Sequence, residues 1–123
     1  MIVTHDNGGI VEEYIVRERQ MHGSRIVIDG PCRSACTVYL ANPGTCATPR
    51  ASFGFHAAFV GQDLGRGKFV YVAPDPVDTA ALFSMYPSGV KAWIQKMRPH
   101  GLGADVIVLK GQAMLKLVPR CRR

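Results

Sequence analysis

The sequence lacks the features that mark several common protein classes. No apolar run approaches the roughly 18 residues that a membrane-spanning helix needs, so we predict no membrane span. The chain has one Trp and no basic stripe interleaved with aromatic residues, although its formal net charge is +6. Because single-stranded nucleic acids are commonly bound by stacking on aromatic side chains, we expect no nucleic-acid partner.

The chain is long enough for one hydrophobic core and too short for two. Its 123 residues predict a single domain over residues 1–123, with a frayed basic tail over about 116–123. An apolar content of 47% predicts a folded chain rather than a disordered one. The strand-like start "MIVTH" runs directly into a glycine turn, and it carries no signal-peptide pattern, so we expect that upstream sequence is missing.

Four cysteines allow two disulfides. An even number permits this in an oxidising compartment, with three alternative pairings. Buried free thiols are the next alternative, and a zinc site is the least favoured because the paired CxxC spacing is missing. The cysteines are Cys32, Cys36, Cys46 and Cys121.

Strand-like and helix-like segments alternate along the chain. The periodicity of apolar residues predicts an amphipathic helix over 10–22, with Gly23 as its C-cap. The β-branched run "RIVID" predicts a buried parallel strand. Such an alternation predicts an α/β domain, in which functional residues gather at the carboxyl ends of strands. The further predicted elements are a helix over 34–41, a strand over 51–59, a loop or hairpin over 60–69 with a returning strand over 69–73, and helical segments over 77–97 broken at Pro87 and resumed with Ser88 as a cap.

Ser34 lies between two cysteines in "GPCRSAC", at the predicted start of a helix. A serine there is commonly a cap worth about 1 kcal/mol. As a nucleophile it would need a base within hydrogen-bond reach, for which His56 is the candidate, and donors for an oxyanion. The first-turn amide of Ala35 and the amides of Gly8 and Gly9, which lack side chains, are the candidate donors.

The order of these segments resembles the core of the Clp protease proteolytic subunit and its relatives in the ClpP/crotonase superfamily. In that family a strand ends in a Gly-Gly turn, a helix and strand follow, then a G-x-x-x-S element, then a strand delivering a histidine. This chain carries its glycine pair, "GPCRSAC" and "PRASFGFHAAF" in that order over residues 2 to about 60. The resemblance implies an α/β fold with a ClpP/crotonase-like core of repeated β-β-α and β-α units, truncated at the N-terminus if upstream sequence is missing.

The resemblance also implies a serine hydrolase that acts on peptide or ester bonds through an acyl-enzyme, with no cofactor and no metal. Ser34 would be the nucleophile, His56 the general base, and the amides of Ala35 and the Gly8–Gly9 turn the oxyanion donors. Segment 61–68 would pair with an extended peptide substrate by strand addition. The alternatives are a catalytically inactive ClpP-like binding or assembly module and, less favoured, a crotonase-like acyl-coenzyme A enzyme.

Two positions depart from the family pattern. Asn7 stands where the family usually has proline before the glycine pair. The acid that should orient the histidine has no well-matched surroundings, and we assign it to Asp105, with Asp75 and Asp78 nearer in sequence. Lys110 is the alternative in a serine–lysine arrangement.

The resemblance bears on the cysteines, the compartment and the assembly. Cys36 is expected as a small buried thiol or, in an exported protein, Cys32 or Cys36 would bond to Cys46. The four cysteines and the ClpP-like bacterial proteins favour an exported, periplasmic chain if upstream sequence is missing. Family members form rings, so the apolar stripe that contains Trp93 would serve a homo-oligomer or an ordinary core.

Overall fold

The chain folds into a mixed α/β structure of short sheets and helices. A computed structural model describes residues 1–122, apart from the side chains of residues 62, 69, 71 and 72. The helices are α1 (Val11–Gln20), α2 (Pro76–Met85), α3 (Ser88–Met97) and α4 (Gly111–Leu117), with a 3₁₀ helix at Ser34–Ala41. The strands are β1 (Ile2–Val3), β2 (Ile26–Ile28), β3 (Pro31–Arg33), β4 (Thr45–Ala47), β5 (Ser52–Phe55), β6 (Phe59–Gly65), β7 (Lys68–Pro74) and β8 (Ile107–Lys110).

The first sheet is parallel and has the strand order β1-β2-β4. Its central strand, β2, comes from the "RIVID" run that predicted a buried parallel strand. Ile26 and Ile28 are fully buried there, and Ala47 of β4 is buried beside them. The β-branched residues therefore fill the core beneath α1 and the 3₁₀ helix, as the sequence pattern predicted.

The second sheet has the order β3-β5-β8 and positions the candidate site. Strands β3 and β5 are parallel, whereas β8 pairs with β5 in the antiparallel direction. Phe53 and Leu109 are opposite each other in this sheet and are both fully buried. The predicted α/β class is therefore confirmed.

Strands β6 and β7 form a separate two-stranded antiparallel sheet. The residues that join them, Gly65, Arg66 and Gly67, all have positive φ angles between 53° and 78°. The loop-or-hairpin alternative over 60–69 is therefore resolved as a hairpin, turned at two glycines that tolerate this backbone conformation.

Two local predictions are wrong. Ser88 is the first residue of α3 rather than its cap, because Pro87 occupies the N-cap position and no side chain caps this helix. Gly23 is not the C-cap of α1, which is Met21. Gly23 instead has a φ of +88° in the turn that follows.

Two disulfides staple the chain. Cys32 bonds to Cys36, four residues away, and Cys46 bonds to Cys121 near the end of the described chain. The predicted bond from Cys32 or Cys36 to Cys46 is therefore wrong, as is the alternative of a free buried thiol at Cys36. The parallel bridge between Ala47 and the C-terminal segment brings the second pair together.

The helices cover the sheets and contribute apolar faces to one core. Val90 and Ile94 of α3 and Leu82 of α2 are buried in this core. Trp93 is partly exposed and packs against the core. None of the helices within residues 1–122 combines the length and apolar character needed to cross a bilayer.

Candidate active site

Three chain segments end side by side at one edge of the second sheet. The N-terminal segment forms a parallel bridge to β3 through Asp6 and Cys32, and β3 pairs in parallel with β5. Parallel segments present their carboxyl ends at the same edge of a sheet. Gly8, Ser34 and His56 are the residues that follow these three segments, and they therefore lie at that common edge.

The backbone at Ser34 has an uncommon conformation. Its φ is 56°, in the left-handed region that residues other than glycine rarely adopt. The Cys32–Cys36 disulfide spans it, with both cysteines fully buried. Thr37 Oγ1 donates a 2.6 Å hydrogen bond to the Ser34 carbonyl and lies 2.7 Å from Tyr86 Oη. This crosslink and these hydrogen bonds hold a partly buried serine in a strained position, which is a common property of functional sites.

Gly8 packs directly against the Ser34 peptide. Its φ is +89°, and a methyl group at its Cα would lie 2.7 Å from Ser34 Cβ and from the Arg33 carbonyl oxygen. The same methyl group would lie 2.9 Å from the Ala35 nitrogen. Only glycine fits this contact, so the structure brings the glycine turn and the serine together as the sequence suggested.

The amides around Ser34 are not equivalent. The Gly8 N–H donates to Asp6 Oδ1 at 2.8 Å and is therefore occupied. Within residues 1–122 the N–H groups of Gly9 and Ala35 donate to no acceptor, which for Ala35 follows from its place in the first turn of a helix. Ala35 is fully buried, so its N–H lies beneath the Gly8 contact described above.

His56 is half-buried and bonds to its neighbour's backbone. Its Nδ1 lies 2.7 Å from the Ala57 carbonyl oxygen. Because a carbonyl can only accept, Nδ1 carries the proton, and Nε2 of the neutral ring is left as the acceptor. Among the described residues the ring makes no hydrogen bond to Ser34, and such bonds commonly tighten only when substrate binds.

Asp105 is near His56 in the fold but is turned to a different partner. The Gly103 carbonyl accepts the Ala57 N–H at 2.8 Å, which brings this loop alongside the histidine. The Asp105 carboxylate is largely exposed and forms an ion pair with Arg98. The hydrogen bond from Arg98 lowers the pKa of the Asp105 carboxyl below its ordinary value. In this structure the Ala57 carbonyl, and not Asp105, accepts from the histidine.

The other candidate acid and base, Asp75 and Lys110, lie on elements outside the Ser34–His56 edge. Asp75 caps α2, accepting hydrogen bonds from the amides of Val77 and Asp78 at 3.0 and 3.1 Å. Lys110 pairs with Ser52 at the end of β8 that is remote from His56. The Asp75 carboxylate is thus engaged by the first turn of α2, although the Asp75 N–H donates to the Ala58 carbonyl at 2.7 Å, whereas Lys110 lies away from His56.

Sequence reasoning missed three contributors to this site. Asp6 holds the glycine turn, and the Thr37 hydroxyl binds the Ser34 carbonyl. The Ala57 carbonyl fixes the imidazole tautomer. An aspartate two residues before a glycine is a known turn signal that could have revealed Asp6. The role of the Ala57 carbonyl could not be predicted in this way, because every residue carries a backbone carbonyl.

A largely apolar cavity of about 570 Å³ lies between α2 and α3, close to the chain that follows His56. Thr79 lines it, and its hydroxyl oxygen accepts the Ala58 N–H at 3.0 Å. The cavity can therefore accommodate an apolar group, and Thr79 connects its wall to Ala58, two residues beyond His56. Other residues of its wall are Pro74, Phe83, Ile94, Arg98 and Leu102.

Comparison with protein-family models, with curated proteins and with solved structures finds no significant match to this chain.

Proposed function

We propose that the protein is a serine hydrolase with a ClpP/crotonase-like site, in which Ser34 is the nucleophile and His56 the general base. The observation that carries this proposal is the meeting of Gly8, Ser34 and His56 at the ends of three parallel-paired segments. Unpartnered amides at Ala35 and Gly9 add the donors that an acyl-transfer site needs.

The chemistry follows from these groups. Ser34 Oγ attacks a substrate carbonyl carbon as its proton passes to His56 Nε2, and the carbonyl oxygen becomes an oxyanion bound by the amides of Ala35 and Gly9. The bond to the leaving amine or alcohol then breaks, and that group takes the proton from the imidazolium. Water, deprotonated by His56, releases the acyl group and restores Ser34.

The surroundings favour an extended substrate with an apolar group. The cavity between α2 and α3 is mostly apolar, and Thr79 in its wall accepts the N–H of Ala58, two residues beyond His56. The β6–β7 hairpin follows His56 closely and is a two-stranded sheet, so an extended peptide could pair with one of its edges. Peptides and esters with an apolar side chain are therefore the substrate class we propose.

A fluorophosphonate probe tests the nucleophile directly. We expect the folded protein to form a Ser34 Oγ–phosphorus bond with loss of fluoride, and the adduct to be located by peptide mass spectrometry. Ser34→Ala should escape labelling, and His56→Ala should label at least about a hundredfold more slowly, the usual contribution of a general base. Ser84→Ala is the matched control, since Ser84 is exposed on α2.

One observation favours a second candidate, an inactive ClpP-like binding module. His56 donates to a neutral carbonyl, and the Asp105 carboxylate is engaged by Arg98. If the protein with both disulfides intact shows no adduct at Ser34 at millimolar probe, the hydrolase proposal fails and the binding module replaces it.

The disulfides support export. Both pairs of cysteines are bonded, and structural disulfides persist mainly in oxidising compartments. We therefore propose an extracytoplasmic location. Mass spectrometry of thiol-blocked protein from native cells should find all four cysteines oxidised, and free thiols would contradict this.

A further inference from the structure

The Asp6 carboxylate is the centre of a polar cluster behind the glycine pair. Its Oδ1 accepts the Gly8 N–H at 2.8 Å. The Tyr14 hydroxyl lies 2.8 Å from Oδ1 and 3.0 Å from Oδ2. The backbone of Asp6 is held as well, because its N–H donates to Pro31 and its carbonyl accepts from Arg33. The carboxylate is therefore fixed relative to β3, the strand that ends at the serine.

The cluster continues into two helices. Tyr14 is a buried residue of α1, and the Arg17 guanidinium lies 4.9 Å from the centre of its ring. Arg17 also donates to the Tyr39 hydroxyl at 3.3 Å, and Tyr39 belongs to the 3₁₀ helix that Ser34 begins. Burial and the Asp6 carboxylate raise the pKa of Tyr14 to about 12, so its hydroxyl remains a donor at neutral pH.

We propose that Asp6 is a positioning residue that sets which amide of the glycine pair meets the oxyanion. By taking the Gly8 N–H it leaves the Gly9 N–H as the donor of the turn that has no acceptor within the described residues. This inference rests on the hydrolase function proposed above and adds to it a choice between Gly8 and Gly9. Two adjacent glycines are the most flexible pair a chain can have, so a turn made of them needs an anchor.

The conservative variant separates positioning from charge. In Asp6→Asn the remaining Oδ1 can still accept the Gly8 N–H, and the Tyr14 hydroxyl can accept from the new amide group. In Asp6→Ala the acceptor is lost and the Gly8 N–H is released. The matched control is Asp29→Ala, which removes an aspartate bonded to Thr48 and Arg50 instead.

The experiment is amide NMR of ¹⁵N-labelled protein, free and as the fluorophosphonate adduct, whose phosphoryl oxygen occupies the oxyanion position. We expect the Gly9 and Ala35 amide protons to move downfield in the adduct and the Gly8 proton to stay in place. In Asp6→Ala the Gly8 amide should exchange about 10- to 100-fold faster than in the parent, as expected when a donor is left without its acceptor. The rate at which the fluorophosphonate labels Asp6→Ala should fall at least about tenfold. Asp6→Asn and Asp29→Ala should keep the parent's labelling rate and Gly8 exchange rate within about threefold.

Several results would overturn the inference. A downfield shift at Gly8 with none at Gly9 would assign the donor to the other amide. Equal labelling of Asp6→Ala and the parent would remove the positioning role. If the parent forms no adduct, the hydrolase proposal fails, and exchange still decides whether Asp6 anchors the turn. Equal exchange rates of the Gly8 amide in Asp6→Ala and Asp6→Asn would then show that the Asp6 side chain does not anchor the glycine turn.

Discussion

Replacement of Gly8 by alanine tests the contact on which the site depends, and Gly23 provides a matched control. The two glycines have nearly the same φ, +89° and +88°. A methyl group at Gly23 would meet nothing within 4 Å, whereas one at Gly8 would lie 2.7 Å from Ser34 Cβ. The two substitutions therefore impose similar backbone strain and differ in the steric contact at the serine.

The expected magnitudes follow from these distances. A left-handed backbone costs a residue with a Cβ about 1–2 kcal/mol, so Gly23→Ala should lower the free energy of unfolding by that amount. Gly8→Ala adds an overpacking cost of about 1–3 kcal/mol, giving about 2–5 kcal/mol in total. Urea denaturation with the disulfides intact measures both, provided that the slope of the free energy against urea is unchanged.

Labelling by the fluorophosphonate should separate the two variants further. Gly23→Ala should label at the parent's rate within about twofold, because its turn lies away from the serine. Gly8→Ala should label at least about tenfold more slowly, since the methyl group displaces Ser34 and the Ala35 amide, and misplacement of reacting groups by about 1 Å can cost a hundredfold. Equal stability and equal labelling of the two variants would refute the packing of Gly8 on Ser34.

Three further predictions concern the structure around the site. Thr37→Val leaves the buried Tyr86 hydroxyl without its partner at 2.7 Å, so urea denaturation should show a loss of about 1–3 kcal/mol, and no loss would contradict the bond. Because the pKa of Tyr14 is raised to about 12 from an ordinary 10.0, this phenol stabilises the fold below pH 10 and loses that contribution as the pH rises to 12. Between pH 10 and 12 the free energy of unfolding, measured by urea denaturation, should therefore fall less steeply with pH in Tyr14→Phe than in the parent. Equal slopes for the two proteins would contradict this. Replacement of Cys46 and Cys121 together by alanine opens a loop of 75 residues and should cost about 4 kcal/mol in the same denaturation assay, whereas an unchanged midpoint would show that this crosslink adds nothing.

The strands and the edge they share could be predicted because their signals are local. The "RIVID" run forms β2, and the "SFGF" run forms β5, directly before His56. Parallel pairing then places the ends of neighbouring strands at one edge without further information. The meeting of Ser34 and the glycine turn follows from that rule, since the structure joins their segments through the bridge at Asp6.

The disulfide pairing could not be predicted from the sequence, because it depends on distances that only the fold sets. Cys32 and Cys36 have Cα atoms 5.3 Å apart across the start of the 3₁₀ helix, and Cys46 reaches Cys121 at 4.8 Å. The second distance results from parallel pairing of the C-terminal segment with Ala47, a contact between positions 73 residues apart. Nothing in the spacing of the cysteines favoured this pairing over the other two.

The role of the acid shows the same limit in electrostatic terms. Asp105, the acid suggested by sequence order, lies in a loop beside the His56 segment, but its carboxylate forms an ion pair with Arg98, seven residues before it. His56 is left with the Ala57 carbonyl, which fixes the tautomer as well as an acid would. A neutral carbonyl stabilises the imidazolium less than a carboxylate does, because it contributes a dipole and no charge. If Ser34 is the nucleophile that we propose, its proton transfer to His56 should therefore be slower than in a site where a carboxylate accepts from the histidine.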